Sequence, residues 1–289
     1  MATASVSAAA SNICIPAALT LVGRTSFRTF RNVWMLEELG VPYHQLPVSP
    51  WSAESKRYHP LGKVPSLAVK FISSKDAAAS KNFHMYESVA INTYLGDVYR
   101  YGTTRLPVQH DGNDNSRGTL HLHNYLVPMA GTPERALYEQ WVLTAATELD
   151  SQGLWIHRKH QALGKVFGHI PEAVQHAQEH FNKVVNQILL PHLLETPNHP
   201  YLLGCHFGAA DILWVHCLDW AESIGWGTIW TQDTTNSTES GVSNQNNAKA
   251  IQALQAYLKR CRSRTAYLKT IAKREAEKQT HLDTMRSKI

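Results

Sequence analysis

The first residues that could carry chemistry lie in a short segment, TLVGRTSFRTFR, where an apolar run leads directly into a helical pattern. Ser26 stands at this junction, five residues before Arg31. A hydroxyl at such a place commonly caps the helix, because it satisfies N–H groups that have no partner within the helix. The same hydroxyl, acting with the helix N-terminus, can instead stabilise an anion. From this segment alone, capping is the favoured interpretation.

Two further segments offer groups that would complement a short peptide. In LGKVPSL, Pro65 precedes a predicted strand, and a cis bond there would expose the backbone of Val64 as a pairing edge. In ESVAI, Glu87 and Ser88 open a helix whose N–H groups and hydroxyl suit a carboxylate, while Glu87 suits an ammonium group. Together with Ser26, these groups predict a site for a small charged peptide that carries a thiol.

Other common kinds of site are poorly supported. The chain has no G-x-G-x-x-G or P-loop pattern after a strand and no H-E-x-x-H, which argues against nucleotide and zincin sites. The pairs His121/His123 and His176/His180 have spacings that two metal ligands could share. Neither pair has an acid or cysteine that clearly completes a ligand set, so we expect no metal site.

The elements around these residues alternate between strand and helix in the first hundred residues. Four short segments are predicted as strands: LTLVG, VPYHQLPV, LGKVPSLAVKF and FHMY. Two segments have helical spacing: RTSFRTFRNVWMLEELG, which should end at Gly40, and ESVAINTYLGDVY, which should end near Tyr99. From the helix start Thr132-Pro133 onward, every patterned segment is helical, so the second half is predicted to be entirely α.

Composition limits the class of protein. With 289 residues and 43% hydrophobic residues, the chain can form two domains or one large one, and no stretch is long and apolar enough to cross a membrane. The four cysteines form no C-x-x-C pair, which argues against a disulfide framework or a structural zinc site. The first 18 residues carry no charged side chain and are predicted to be a flexible extension, with a targeting peptide as the alternative.

The net charge of +5 is concentrated at the end of the chain. Eleven Lys or Arg residues and three acids lie between Lys249 and Ile289. Apolar residues interrupt this run at helical spacing, so we interpret it as the solvated face of a terminal helix. A nucleic-acid or membrane patch is the alternative.

Taken in order, several segments resemble the cytosolic glutathione transferases. RTSFRTFRNVWMLEELGVPY, HPLGKVPSL and YESVAINTYLGD are similar to the glutathione-binding domain, and GTPERALYEQW and YLLGCHFGAADILWVHCLDWAESIGW to the helical domain. The resemblance runs from Leu19 to Tyr267, with apparent insertions at about 73–82, 103–124 and 231–247. It implies an α/β thioredoxin-like N-terminal domain, an all-helical C-terminal domain and a homodimer. The corresponding boundaries are an extension at 1–18, the thioredoxin-like domain at 19–101, a linker or insertion at 102–131 and the helical domain at 132–289.

The resemblance also implies roles for single residues. Ser26 matches the activating hydroxyl of the serine-type classes, with Thr25 as an alternative because the offset to the helix arginine varies. The implied glutathione-binding residues are Lys63, Val64, Pro65, Glu87 and Ser88. Phe27, Tyr138 and Trp141 are candidates for the wall of a hydrophobic substrate crevice, although aromatic residues at helical spacing more often pack a core. Asp211, whose helix would be capped by Gly208, is interpreted as a folding residue.

The implied reaction is attack of the glutathione thiolate on a hydrophobic electrophile, as in detoxification. A thiol with a pKa near 8.5 is only about 3% ionised at pH 7, and lowering the pKa by about two units makes the thiolate about 25-fold more abundant. Ser26 would donate a hydrogen bond to the sulfur. Glutathione is then a co-substrate and no cofactor or metal is expected. A cytoplasmic protein is expected, with neither nucleic acid nor membrane as a partner.

Two alternatives use the same site. The first is a catalytically inactive glutathione-transferase-like module that binds ligands or proteins, and the second is a glutathione-dependent peroxidase for organic hydroperoxides. The absence of cysteine from the turn around Ser26 disfavours thiol-transferase and dehydroascorbate-reductase chemistry.

Overall fold

The computed structural model describes residues 16–71, 82–100, 125–231 and 242–286. Residues 1–15 of the predicted extension lie outside the described residues. The predicted insertion at 103–124, which includes His121 and His123, lies entirely outside them.

A four-stranded mixed sheet forms the centre of the first domain. Its strands are β1 (Ala18–Val22), β2 (His44–Leu46), β3 (Ser66–Lys70) and β4 (Asn82–Tyr86). The spatial order is β2-β1-β3-β4, with β1 parallel to β2, β1 antiparallel to β3 and β3 antiparallel to β4. Each strand lies within or at the edge of a segment that the sequence predicts as a strand.

The helices of the first domain complete the thioredoxin-like arrangement that the sequence predicts. They are α1 (Thr29–Leu39), the short α2 (Ala53–Lys56) and α3 (Ser88–Val98). Gly40 ends α1 in the left-handed conformation at φ 62°, as predicted. Since α1 packs against β1 and α3 packs against β3 and β4, both helices cover the sheet, and they also contact each other.

The rest of the described chain is helical, apart from its connecting turns. One almost continuous stretch consists of α4 (Pro133–Thr144), a π-helical segment (Ala145–Leu154), α5 (Trp155–His157) and a second π-helical segment (Arg158–Ala162). The later elements are α6 (Gly164–Phe167), α7 (Pro171–Val184), a third π-helical segment (Val185–Leu189), α8 (Leu190–Glu195), α9 (Ala209–Ser223), α10 (Thr228–Thr231), α11 (Val242–Arg262) and α12 (Thr265–Arg286). No described helix has the length and apolar character needed to span a membrane.

Helix α1 is the structural link between the two domains. Its residues from Thr29 to Leu36 are buried, because the sheet and α3 lie on one side and α9 and α12 pack on others. Trp34 is fully buried, and its ring packs edge-on against Tyr267 of α12 at 4.8 Å between centroids. The residues that precede α1 are therefore held between the two domains.

Asp211 stabilises the start of α9, as predicted. It is fully buried, and its carboxylate accepts hydrogen bonds from the N–H groups of Gly208 (2.8 Å) and Leu202 (3.0 Å) and from the Tyr257 hydroxyl (2.9 Å). Thr132 caps α4 by accepting a hydrogen bond from the N–H of Arg135 at 3.2 Å, with Pro133 in the first turn, also as predicted.

Candidate functional site

A cleft of about 810 Å³ lies between the sheet domain and the helical domain. Its walls come from the turn before α1, the segment before β3, the start of α3, the 145–167 stretch, α9 and α12. Seven candidate site residues from the sequence line this one cleft: Ser26, Phe27, Lys63, Val64, Pro65, Glu87 and Ser88.

Ser26 lies in the turn that leads from β1 into α1, and its side chain is exposed to the cleft. Helix α1 begins at Thr29 with Arg28 as its N-cap residue, and no side chain caps it. The capping interpretation of Ser26 is therefore wrong. Within the described residues, its hydroxyl forms no hydrogen bond and is free to donate one into the cleft.

Thr25, which carries the alternative hydroxyl, is buried, and its hydroxyl is hydrogen-bonded to other side chains. Its Oγ1 donates to Oε1 of Glu277 at 2.6 Å and accepts from Nε2 of Gln45 at 3.1 Å. Its backbone N–H donates to Oε2 of the same Glu277 carboxylate at 2.8 Å. Glu277 belongs to α12, so the terminal helix holds the turn next to Ser26.

Replacing Glu277 by alanine is expected to loosen this turn. The substitution removes two hydrogen bonds to a carboxylate, each worth about 1.5–3 kcal/mol, and leaves the buried Thr25 hydroxyl without its acceptor. Chemical denaturation should show a lower free energy of unfolding. Asp283→Ala is the control, since Asp283 lies on the exposed side of α12 and, among the residues that the structure describes, accepts a side-chain hydrogen bond from Gln279 alone. Equal stability of the two variants would contradict this role of Glu277.

The Val64–Pro65 bond is cis, as predicted, and it lies beside the Ser26 turn. The last β1–β3 pair is Val22–Ser66, so the backbone of Val64 lies just beyond the end of the strand ladder. Gly23 allows the close approach of the two segments: a Cβ atom there would lie 2.8 Å from Cβ of Val64, and Gly23 has a φ of 129°. Only glycine adopts this conformation readily.

The start of α3 is held by side chains of α1. Nδ2 of Asn32 donates to the backbone oxygen of Ser88 at 2.8 Å and to Oδ1 of Asn92 at 2.7 Å. Arg31 donates from Nη1 to the Ser88 hydroxyl at 3.2 Å. The preceding residue, Glu87, has a positive φ of 73° and an exposed side chain that lines the cleft. The cleft thus receives a carboxylate and a helix N-terminus side by side.

A buried carboxylate of the helical domain pairs with two arginines of the sheet domain. Oδ2 of Asp150 lies 2.7 Å from Nη2 of Arg31, and both oxygens accept from the guanidinium of Arg28. The side chains of Arg31 and Asp150 are only 2% and 5% exposed. Burial alone would raise the pKa of Asp150, but the two guanidinium groups hold that pKa well below its usual value.

Arg31 also contacts two residues of α9 that could otherwise have been taken for reactive groups. Its Nε donates to Nδ1 of His216 at 3.0 Å and its Nη2 to Sγ of Cys217 at 3.3 Å. Burial and the neighbouring Arg31 charge lower the pKa of His216 well below its usual value, so this ring is neutral and accepts the hydrogen bond. Burial raises the pKa of Cys217 to about 12, so its thiol stays protonated and is not a nucleophile.

The three aromatic candidates for the crevice wall have different positions. Phe27 lines the cleft next to Ser26. Tyr138 is 1% exposed and its hydroxyl is 2.7 Å from that of Thr93, and Trp141 is 8% exposed and packs edge-on against Trp214. Neither lines the cleft, and assigning them to its wall is therefore wrong. Both belong to the hydrophobic core of the helical domain.

Other aromatic residues take their place. The remaining large rings that line the cleft are Trp51, Trp155, Phe167 and Trp220. Sequence reasoning missed them because three come from helices whose contact with the first domain no local pattern reveals. Trp51 is in a loop, and a loop residue gives no periodic signal.

The described residues contain no group of three or more His, Cys, Asp or Glu residues that could hold a metal ion. His180, one member of the pair with helical spacing, instead has Nε2 2.9 Å from Oε2 of Glu148.

Comparison with known protein families matches residues 25–98 to the model described as "Glutathione S-transferase, N-terminal domain". The first domain of the chain is a glutathione S-transferase N-terminal domain. This match covers the turn of Ser26, the Val64–Pro65 edge and the start of α3, and so confirms the family resemblance for this domain. No curated protein sequence matches the chain.

Solved structures extend the likeness in fold to both domains. Glutathione transferase F7 from Populus trichocarpa has a TM-score of 0.58 at 15% identity, with 89% of this chain and 99% of that chain covered. Glutathione transferase URE2P8 from Phanerochaete chrysosporium, solved with oxidized glutathione, has a TM-score of 0.58 at 19% identity, with 89% and 95% covered. Ure2p5 from the same organism, cocrystallized with 1-(S-glutathionyl)-2,4-dinitrobenzene, has a TM-score of 0.58 at 16% identity, with 91% and 97% covered. The chain therefore has the glutathione-transferase fold.

Proposed function

We propose that the protein is a glutathione transferase that conjugates the glutathione thiolate to hydrophobic electrophiles, with the thiolate stabilised by the Ser26 hydroxyl. The observation that carries this proposal is the free Ser26 hydroxyl in the same cleft as the predicted glutathione-binding residues. The match of residues 25–98 to a glutathione S-transferase N-terminal domain supports a glutathione site that includes this turn.

Glutathione has groups that match the cleft. Its glycine carboxylate suits the Lys63 ammonium, its cysteine backbone suits the free edge at Val64, and its γ-glutamyl group suits Glu87 with Ser88. The sulfur would then lie toward Ser26 and Phe27. Ser26 would act as a hydrogen-bond donor and not as a base, since the thiol proton leaves to solvent before the attack.

The electrophile would bind among the rings of the second wall. Phe27, Trp155 and Trp220 provide apolar faces, and holding the thiolate and electrophile together would supply much of the rate gain. Glutathione is the co-substrate in this proposal, and no cofactor is required.

Affinity for glutathione and turnover together test this function. The protein should be retained on glutathione-agarose and should then convert 1-chloro-2,4-dinitrobenzene. Retention without turnover would instead favour a ligand-binding module, and turnover of cumene hydroperoxide alone would favour a peroxidase. Failure to bind glutathione would contradict the site.

The assembly and cellular role belong to the same proposal. A homodimer in the cytoplasm with a role in detoxification would fit this fold, and the exposed apolar residues Tyr86 and Leu137 (46% and 51% exposed) are available for a subunit contact. Light scattering of the purified protein measures the number of subunits.

A further inference from the structure

The positive charges that line the cleft differ in how well they are compensated. Arg28 and Arg31 share the carboxylate of Asp150. Lys63 would be used by the glycine carboxylate of glutathione under the proposed function. Two further arginines, Arg158 and Arg274, line the cleft without a part in that binding.

Arg158 is a cleft guanidinium with no partner acid. It belongs to the π-helical segment Arg158–Ala162, and among the described residues its side chain forms neither an ion pair nor a hydrogen bond. Its guanidinium carbon lies 5.3 Å from the ring centroid of Phe27, the residue that follows Ser26. Burial, and then the charge of Arg28, lower the pKa of Arg158, which agrees with a positive charge that nothing nearby neutralises.

Arg274 of α12 adds positive charge from another element of the cleft. Its Nε pairs with Glu275 at 3.1 Å, but that carboxylate is 53% exposed and the pair is weak in water. The acids on the cleft offer little compensation. Asp150 is used by Arg28 and Arg31, and Asp219 accepts from Arg262 and Tyr267 outside the lining. Glu87, the third acid of the lining, would be used by the ammonium group of glutathione under the proposed function.

Aromatic surface lies beside these charges. The guanidinium carbon of Arg28 lies 5.5 Å from the ring centroid of Trp155 and 5.4 Å from that of Trp220. A flat apolar ligand could therefore lie against Phe27 and these rings with one end close to Arg158. A guanidinium favours a carboxylate or sulfonate, which it can bind with two parallel hydrogen bonds.

We propose that the cleft selects aromatic electrophiles that carry one anionic group, and that Arg158 is the residue that binds this group. The reaction in this proposal rests on the proposed function, whereas the binding of an anionic group by Arg158 does not. With 4-chloro-3,5-dinitrobenzoate as the electrophile, the glutathione sulfur forms a bond to the ring carbon that carries chlorine, and chloride leaves with its electron pair. The thiol proton goes to solvent, and the carboxylate of the electrophile is unchanged.

Binding is tested with two fluorescent probes that share one skeleton. 8-Anilinonaphthalene-1-sulfonate carries a sulfonate, and N-phenyl-1-naphthylamine lacks it. The ratio of their affinities should fall about tenfold in Arg158→Gln, since a hydrogen bond to a charged group is lost. Arg158→Lys keeps the charge and should recover part of the ratio. Displacement of the sulfonate probe by S-hexylglutathione should show that it occupies the cleft.

Lys165→Gln is the matched control for charge. Lys165 is exposed, lies close to Arg158 in sequence and does not line the cleft, so the affinity ratio should stay within about twofold of wild type. A ratio that is equal in wild type and Arg158→Gln would overturn the proposal. An equal loss in Lys165→Gln would also overturn it, because the effect would then be one of overall charge.

Turnover tests the same selectivity in the reaction. The substrates are 4-chloro-3,5-dinitrobenzoate and its methyl ester, and the quantity compared is the ratio of their kcat/KM values in wild type and Arg158→Gln. We expect this ratio to fall about tenfold, mainly through the KM of the benzoate. If the enzyme is active but the kcat/KM ratio is unchanged in Arg158→Gln, the proposed anion selectivity is overturned while the proposed reaction stands. If the protein turned over neither substrate, the proposed reaction would fail, and the probe affinities would still decide the role of Arg158.

Discussion

Ser26→Ala is expected to lower kcat for conjugation of 1-chloro-2,4-dinitrobenzene by about 10- to 100-fold. The variant removes a free hydroxyl at the cleft, and a hydrogen bond to a charged group is worth about 1.5–3 kcal/mol. Glutathione affinity, measured by calorimetry near pH 6 where the bound thiol is mostly protonated, should change much less. The glutathione contacts proposed for Lys63, Val64 and Glu87 do not involve the substituted side chain.

Ser151→Ala is the control for the loss of a hydroxyl from this cleft. Ser151 also lines the cleft and is exposed, but it belongs to the helical wall. Its removal should leave kcat within about twofold of wild type. Wild-type turnover by Ser26→Ala would contradict the proposed role of Ser26, as would an equal loss in both variants.

Asp150→Asn is expected to cost about 3–5 kcal/mol in the free energy of unfolding. Arg31 is 2% exposed, and its positive charge would lose the carboxylate that compensates it. The same change would free Arg28 from its partner and weaken the link between the domains. Denaturation in urea, followed by tryptophan fluorescence, measures the loss.

Glu148→Gln is the matched control for Asp150→Asn. Glu148 lies two residues earlier in the same π-helical segment, is 33% exposed and pairs with His180, so its loss should cost less than about 1 kcal/mol. Equal costs would contradict the assignment of a buried ion cluster to Asp150.

The Asp150 contribution also has a defined pH dependence. Because the arginines lower its pKa in the folded state below the unfolded value of about 3.9, the unfolded chain takes up the proton first as the pH falls. The difference in stability between wild type and Asp150→Asn should therefore be constant from about pH 5 to pH 8. It should shrink as the pH falls below about 4 toward the folded pKa.

The local elements could be predicted because each has a signal within its own segment. The apolar run before Gly23 predicts β1, Gly40 ends α1 and Thr132-Pro133 starts α4. The position of Pro65 between a turn and a strand allows a cis bond, and the family resemblance implies one, which the structure has.

The long-range contacts gave no such signal. Ser26 lies three residues before α1, and whether its hydroxyl caps the helix depends on where α1 starts in the folded chain. The Thr25 hydroxyl is occupied by Gln45 and by Glu277, and Glu277 lies 252 positions away in the sequence. Tyr138 and Trp141 pack in a core, as aromatic residues at helical spacing usually do. The aromatic wall of the cleft is formed by segments that come together only in the folded chain.

The most direct test of thiolate stabilisation is an ultraviolet absorption titration of glutathione bound to the protein. The thiolate absorbs more strongly than the thiol, so the titration gives the pKa of the bound sulfur. We predict a pKa about two units below the value of about 8.5 for a free thiol in the wild-type complex, and a return toward that value in Ser26→Ala. A bound thiol that titrates in the wild-type complex as it does in buffer would contradict the account.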